Sequence, residues 1–217
     1  MLKTSLKILV IAAHPDDEVL GMGGTIKKLS YDNEIHLCII TEGASAQYSD
    51  KKMIQKRKKS CEKSSGIIGI SKIHFLDFPD MKLDTISHLD INRQLEEIMN
   101  DFRPEIVFTT PSQDLNKDHE LTFKSTLVAA RPYSGYVKKI LSYELPGTVN
   151  SQFNPNTYVD ISEFISTKIN AFKQYSSEVR KFPHPRSIKS IESLSIVRGV
   201  ECGKNRAEAF QLIRSIE

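Results

Sequence analysis

The feature that most constrains this chain is an apolar run, Ile8-Leu-Val-Ile-Ala-Ala13, which carries no polar alternation and stops abruptly at His14-Pro-Asp-Asp-Glu18. A strand that is apolar on both faces must be covered on both faces, which puts it at the centre of a parallel sheet rather than at a solvated edge. Glu105-Ile-Val-Phe-Thr-Thr110 is a second run of the same kind. Around these two, short apolar runs alternate with amphipathic stretches, the pattern of β-α-β units. The pattern predicts strands near 7–13, 35–41, 72–76, 105–110 and 138–144. Helices are expected near 18–31, 51–66, 90–102, 118–131, 162–176 and 188–200. A Pro, Gly and Asn-rich stretch runs to 157, a loop surrounds Phe182-Pro-His-Pro-Arg186, and the last fifteen residues show no clear pattern. The expected fold class is α/β, with a mostly parallel central sheet and helices on both of its faces.

At 217 residues, 39% hydrophobic and 26% charged, the chain has the composition of a folded globular protein and the length of one α/β domain, 1–217. No repeat or linker divides it. Thirty Lys and Arg against 27 Asp and Glu leave a charge of +3, too small for a nucleic-acid footprint unless it clusters. The only dense basic run, Lys51 to Lys63, reads as a solvated helix face. Cys38, Cys61 and Cys202 form no C-x-x-C pair and leave one over, so neither a disulfide framework nor a thiolate zinc site is expected. A reducing, cytoplasmic location fits that usage. Lys3 and Lys7 precede an apolar run far too short for an export signal, and no stretch approaches the roughly 20 apolar residues of a membrane span.

Ligands of open α/β sheets bind beyond the carboxyl ends of the strands, so the loops after residues 13 and 110 are the places for chemistry. The first reads His14-Pro-Asp-Asp-Glu18 and the second Ser112-Gln-Asp-Leu-Asn-Lys-Asp-His-Glu120. An imidazole and a carboxylate from the first can meet an imidazole from the second, giving a His, Asp, His set with one position left open, as in catalytic zinc sites. Two adjacent carboxylates cannot point the same way, so Asp17 can ligate while Asp16 faces the attacking water as general base. The competing structural reading is that an Asp before a helix is simply an N-cap. Glu18 reads as first-turn helix charge with a supporting hydrogen bond. The Gly21-Met-Gly-Gly24 cluster, with Glu42 ending the second strand, invites a dinucleotide reading, but the spacing fails because Ile26 stands where the third glycine belongs. Those glycines instead allow close packing of helix on sheet. Walker, G-x-S-x-G and H-E-x-x-H motifs are absent.

Ala13-His-Pro-Asp-Asp-Glu18 with Gly21 and Gly24, followed by Asp118-His119 after a central strand, resembles the LmbE-like, or PIG-L, family of zinc-dependent N-deacetylases. The resemblance extends to Thr41-Glu-Gly43, Arg57 with Gly69-Ile70, His184-Pro-Arg-Ser187, Arg198-Gly199 and Ala207-Glu-Ala-Phe210. It implies a Rossmann-like three-layer fold with zinc, or another divalent transition metal, at the carboxyl edge of the sheet. The implied activity is removal of acetyl from an N-acetylglucosamine-type sugar or its conjugate, with release of acetate. By motif, His14, Asp17 and His119 are the metal ligands, Asp16 is the general base, Arg57 contacts substrate and Asp118 orients a ligand histidine. One position departs from the family. Asn116 stands where many members carry a histidine, and its amide can still donate a hydrogen bond. That departure assigns the missing oxyanion donor to His184, which Pro183 and Pro185 stiffen from either side. Two other functions compete: a related zinc hydrolase of a different amide or ester, and a non-catalytic sugar-binding member. The expected partner is a small N-acetylated sugar or glycoconjugate, with no nucleic acid and no membrane span, and relatives of this kind are often homo-oligomers.

Overall fold

The computed structural model of the chain describes residues 5–48, 50, 52–147 and 153–217. Lys51, at the start of the basic run, and part of the 146–157 loop lie outside the described residues. The elements run β1 (Lys7–Ala12), α1 (Asp17–Leu29), β2 (Glu34–Thr41), α2 (Lys52–Ile68), β3 (Lys72–Phe78), α3 (His88–Phe102), β4 (Ile106–Thr109) and α4 (Lys117–Ala129). They continue with β5 (Lys139–Tyr143), β6 (Thr157–Asp160), α5 (Ile165–Phe172), α6 (Ile188–Glu201) and β7 (Ala207–Ser215). One seven-stranded sheet has the order β3-β2-β1-β4-β5-β7-β6. The first five strands in that order pair in parallel, and β7 runs antiparallel to both β5 and β6.

β1 behaves as its composition requires. Ile8, Val10 and Ala12 enter the core under α1, α2, α5 and α6, while Leu9 and Ile11 enter the core under α3 and α4. All five are fully buried, and each large aliphatic side chain removed from water contributes roughly 1.5–3 kcal/mol before conformational entropy is set against it. The result is three layers, with helices on both faces of a mostly parallel sheet.

The two strands with no counterpart in the sequence reading are β6 and β7. β6 is four half-buried residues, Thr157-Tyr-Val-Asp160, too short to show a period. β7, Ala207-Glu-Ala-Phe-Gln-Leu-Ile-Arg-Ser215, mixes polar with apolar residues. Its pattern is explained by Glu208, which is buried yet fully engaged. Helix α1 breaks at Met22, where φ is −146°. Glu208 accepts the N–H groups of Gly24 and Thr25 at 3.0 and 2.6 Å, and pairs with buried Lys168 Nζ at 2.6 Å. Gly21 in the same helix lies where a Cβ would come within 2.3 Å of the Tyr143 ring, so a side chain there would push α1 off the sheet.

The chain order also creates the site. β1 leads outward to β2 and β3, whereas β4 and β5 lie on its other side. The crevice at which an open sheet reverses direction therefore falls between the carboxyl ends of β1 and β4. The loops after those two strands are the ones loaded with histidine and carboxylates. Among the described residues, no helix is long and apolar enough to cross a membrane.

Glu208→Ala is expected to lower stability by about 3–5 kcal/mol in urea titration, because it strands the Lys168 ammonium in the core along with two backbone donors.

Candidate active site

Thr41 N–H and Oγ1 both donate to the Ala13 carbonyl, at 2.9 and 2.8 Å, fixing the end of β1. The chain then turns at Asp16, whose φ of 123° is a conformation that side chains resist. The turn sends the two consecutive carboxylates in different directions, and both are buried.

Asp17 faces the histidines. Its Oδ2 lies 3.4 Å from His14 Nδ1 and 3.3 Å from His119 Nε2, and those two nitrogens are 3.1 Å apart. Three donor atoms at the corners of a nearly equilateral triangle match the ligand separation of about 3.3 Å that a tetrahedral metal with 2.0–2.1 Å bonds imposes. The opposite nitrogen of each ring is held. His119 Nδ1 meets Asp114 Oδ2 at 2.7 Å. His14 Nε2 sits 3.2 Å from Asp118 Oδ2 and 3.3 Å from Asp80 Oδ1. Such carboxylate partners fix ring orientation and leave the other nitrogen free to bind a metal. The residues present therefore fit a divalent ion at His14, Asp17 and His119. The thiols play no part, since Cys38 and Cys61 are buried elsewhere.

Asp16 faces the arginines. Its Oδ2 lies 3.6 Å from Arg186 Nη1 and 3.8 Å from Arg57 Nη1, beyond hydrogen-bond length in both cases. Glu178 ties the two guanidiniums together at 2.7 Å each. Both Asp16 carboxylate oxygens, with Arg57 Nε, are buried without a hydrogen-bond partner. Buried polar atoms are rarely left so in a folded protein, and three of them around one gap mark a place built for something polar. A cavity opens beside it, lined by His14, Gln47, Arg57, Asp80, Asn116 and Arg186 among others.

The electrostatics follow from burial and from these neighbours. Burial opposes charge on His119, but Asp17 and Asp114 outweigh it and push its pKa up to about 9. Burial likewise opposes charge on His14, and Asp118, Asp17 and Asp80 hold it well above the ordinary range. Asp17 is held well below the usual carboxylate range, with His119 and His14 overcoming burial. For Asp16 burial wins over Arg186 and Arg57, and its pKa is raised. Burial also raises Glu18, to about 7; its Oε1 accepts the Tyr175 hydroxyl at 2.6 Å and its Oε2 the Asp16 N–H at 3.1 Å.

The structure thus brings together His14, Asp16, Asp17, Arg57, Asn116, Asp118 and His119. Asn116 caps α4, its Oδ1 accepting the Asp118 N–H at 2.9 Å, so the amide nitrogen is the end left for the cavity. It does not bring His184 there. That side chain is exposed, and its Nδ1 accepts the Arg186 N–H at 3.1 Å. The turn closed by His184 N–H to Lys181 O and Ser187 N–H to His184 O curls the string so that Arg186 reaches the cavity instead. The expectation that His184 stands at the site is not met: it lies outside the cavity, and Arg186 of the same string lines it. Arg57 is buried on the inner side of α2, opposite the exposed lysines of the basic run.

Sequence reasoning missed Asp80, Asp114, Glu178 and Arg186. Asp114 and Arg186 stood inside strings already singled out, while Asp80 and Glu178 had no motif around them. Glu42, the rejected ribose-binding acid, is a loop clamp: it accepts N–H groups of Ala44 and Ser45 at 2.8 and 3.0 Å and of Asp80 at 3.1 Å. Gly43 beside it has φ +64° and no room for a Cβ, which would lie 2.4 Å from Pro15.

Two outcomes test this geometry. Asp114→Ala should weaken zinc binding by about 10–100-fold in competition with a chelator, since His119 loses the partner of its Nδ1. In the metal-free protein, His119 is raised from 6.5 to about 9 and Glu18 from 4.5 to about 7. Each stabilises the fold through its bound proton, fully below the unfolded pKa and no longer above the folded one. The thermal midpoint of chelator-treated protein should accordingly fall as pH rises from about 5 through 9, and saturating zinc should suppress the His119 part of that fall.

The profile of the GlcNAc-PI de-N-acetylase family, PIG-L, matches residues 9–130. Diacetylchitobiose deacetylase of Thermococcus kodakarensis is 24% identical, over 97% of this chain and 84% of its own. The uncharacterized deacetylase YaiS of Escherichia coli K12 is 31% identical, over 78% of this chain and 90% of its own. The fold is that of N,N'-diacetylchitobiose deacetylase from Pyrococcus horikoshii, solved with an inhibitor: TM-score 0.82, 24% identity, 97% of this chain and 84% of that one. The loops that carry His14, Asp17 and His119 fall inside the matched segment, and the chain belongs to the PIG-L, or LmbE-like, deacetylase family.

Proposed function

We propose that this protein is a metal-dependent hydrolase that removes the acetyl group from an N-acetylated amino sugar of N-acetylglucosamine type, or from its conjugate, and releases acetate. The observation that carries this reading is the pairing of a three-cornered His14, Asp17, His119 donor set with the buried carboxylate of adjacent Asp16, whose oxygens have no hydrogen-bond partner. The names of the relatives, which include a diacetylchitobiose deacetylase and an acetamidodeoxyglucopyranosyl-inositol deacetylase, support the substrate class.

An amide is a weak electrophile, and its hydrolysis near neutral pH requires an activated water, a stabilised oxyanion and a protonated leaving nitrogen. A divalent metal such as zinc, held by His14, Asp17 and His119, supplies Lewis acidity for the first two. The protein supplies the proton transfers. Asp16 accepts the proton of the attacking water on a carboxylate oxygen and returns it to the departing nitrogen, giving acetate and a free amine. The absence of a hydrogen bond to the Asp16 carboxylate leaves its oxygens open for that exchange. Arg186 and Arg57, fixed by Glu178, place positive charge beside Asp16. The same Arg186 guanidinium and the Asn116 amide are the donors available to a developing oxyanion. Asp118 and Asp114 keep the two imidazoles turned toward the metal position.

Acetate release from N-acetylglucosamine glycosides, with zinc added after chelation, tests the reaction; no release with any of zinc, cobalt or manganese overturns it. Asp16→Asn should retain metal and lose about 10²-fold or more in kcat, while Asp17→Asn should lose metal itself. Arg186→Ala should lower kcat by about 10²-fold. His184→Ala should stay within about twofold of wild type, as an exposed side chain does.

A further inference from the structure

We infer that Met81 is a specificity-determining residue whose side chain packs against the C–H face of the sugar ring that bears the acetamide; the inference deepens the deacetylase reading and rests on it. Met81 is an anomaly on three counts. Its φ is +55°, in the region that a Cβ makes unfavourable and that glycine occupies freely. It is 52% exposed, so it contributes little to the core. Among the described residues that line the cavity, it alone brings an apolar side chain, beside polar Gln47, Asn116 and Arg186 in the same lining.

The backbone around it has its own explanation. Met81 N–H donates to Asp118 Oδ2 at 2.7 Å, Leu83 N–H to Asp118 Oδ1 at 3.1 Å, and Asp80 N–H to Glu42 Oε1 at 3.1 Å. These bonds hold the loop in place and would be made as well by glycine, with less strain. They account for the conformation and leave the methionine side chain unexplained. A strained, exposed, large apolar residue at the edge of a polar cavity is the kind of outlier that points to a binding role. A pyranose presents hydroxyl groups around its rim and C–H groups on its faces. Gln47 matches the rim, and a flexible thioether matches a face, because methionine adapts to irregular apolar surfaces.

The test combines binding with turnover on zinc-loaded protein. Calorimetry in an Asp16→Asn background, in which turnover is slowed by about 10²-fold or more, gives the Kd for methyl 2-acetamido-2-deoxyglucopyranoside. Kinetics in the otherwise unmodified protein compare that glycoside with N-acetylethanolamine, the same amide without a ring. Met81→Asn, which tolerates positive φ, is expected to raise both Kd and KM for the glycoside about fivefold, with kcat within about twofold. It should leave the thermal midpoint and kcat/KM for N-acetylethanolamine unchanged, and Met81→Leu should restore glycoside binding. Unchanged glycoside binding in Met81→Asn, an equal loss for both amides, a thermal midpoint that falls with the affinity, or failure of Met81→Leu to restore it would each overturn the inference. If the unmodified protein hydrolyses neither amide, the deacetylase reading fails, and the calorimetric comparison still decides the role of Met81.

Discussion

Two adjacent carboxylates, Asp16 and Asp17, are taken out of water together, and the site is built to meet the consequences. A buried carboxylate that stays ionised needs partners, and two on neighbouring residues cannot share them. The unfavourable φ at Asp16 resolves this by sending one side chain to the imidazoles and the other to the guanidiniums. Everything near the site serves one side or the other. His119 arrives on α4 and His14 on the β1 loop to meet Asp17, and Arg57 arrives on α2 with Arg186 from the loop before α6 to face Asp16.

The sheet supplies the place where such a convergence is affordable. At the reversal between β1 and β4, two strand ends deliver their loops to one crevice without a covering helix. Loops that carry ligands must nevertheless be held, and carboxylates do that work through backbone N–H groups. Glu42 gathers Ala44, Ser45 and Asp80, while Asp118 gathers Met81 and Leu83 as it touches His14. The placement of the His14 ring thus depends on a loop after β3, which gives Asp118 two roles at once.

Most buried polar groups in the protein are paired, and Glu208 shows how thoroughly, with two backbone donors and a lysine on one carboxylate. Asp16 keeps both oxygens unpartnered within 4 Å of two cations. A protein optimised only for stability would close that gap. Leaving it open fits the proton-transfer role proposed for Asp16, because a fixed hydrogen bond would compete with the attacking water.

Residue pattern alone determined a good deal here. Apolar runs at 7–13 and 105–110 located the central strands, the strings after them contained His14, Asp16, Asp17 and His119, and the fold class followed from strict alternation of strand and helix. These are local properties, because periodicity and motif spacing are carried by consecutive residues. Tertiary structure decided the rest. β6 and β7 escaped notice because a four-residue strand has no measurable period and because Glu208 is polar for a partner 40 residues away, Lys168. Asp80 and Glu178 were invisible because their partners, His14 and the arginines, come from distant elements. His184 and Arg186 stand two residues apart in one string, and only the fold of the turn settles which faces solvent and which faces Asp16. Direction of a loop side chain is fixed by hydrogen bonds across the molecule, and no spacing in the chain encodes it.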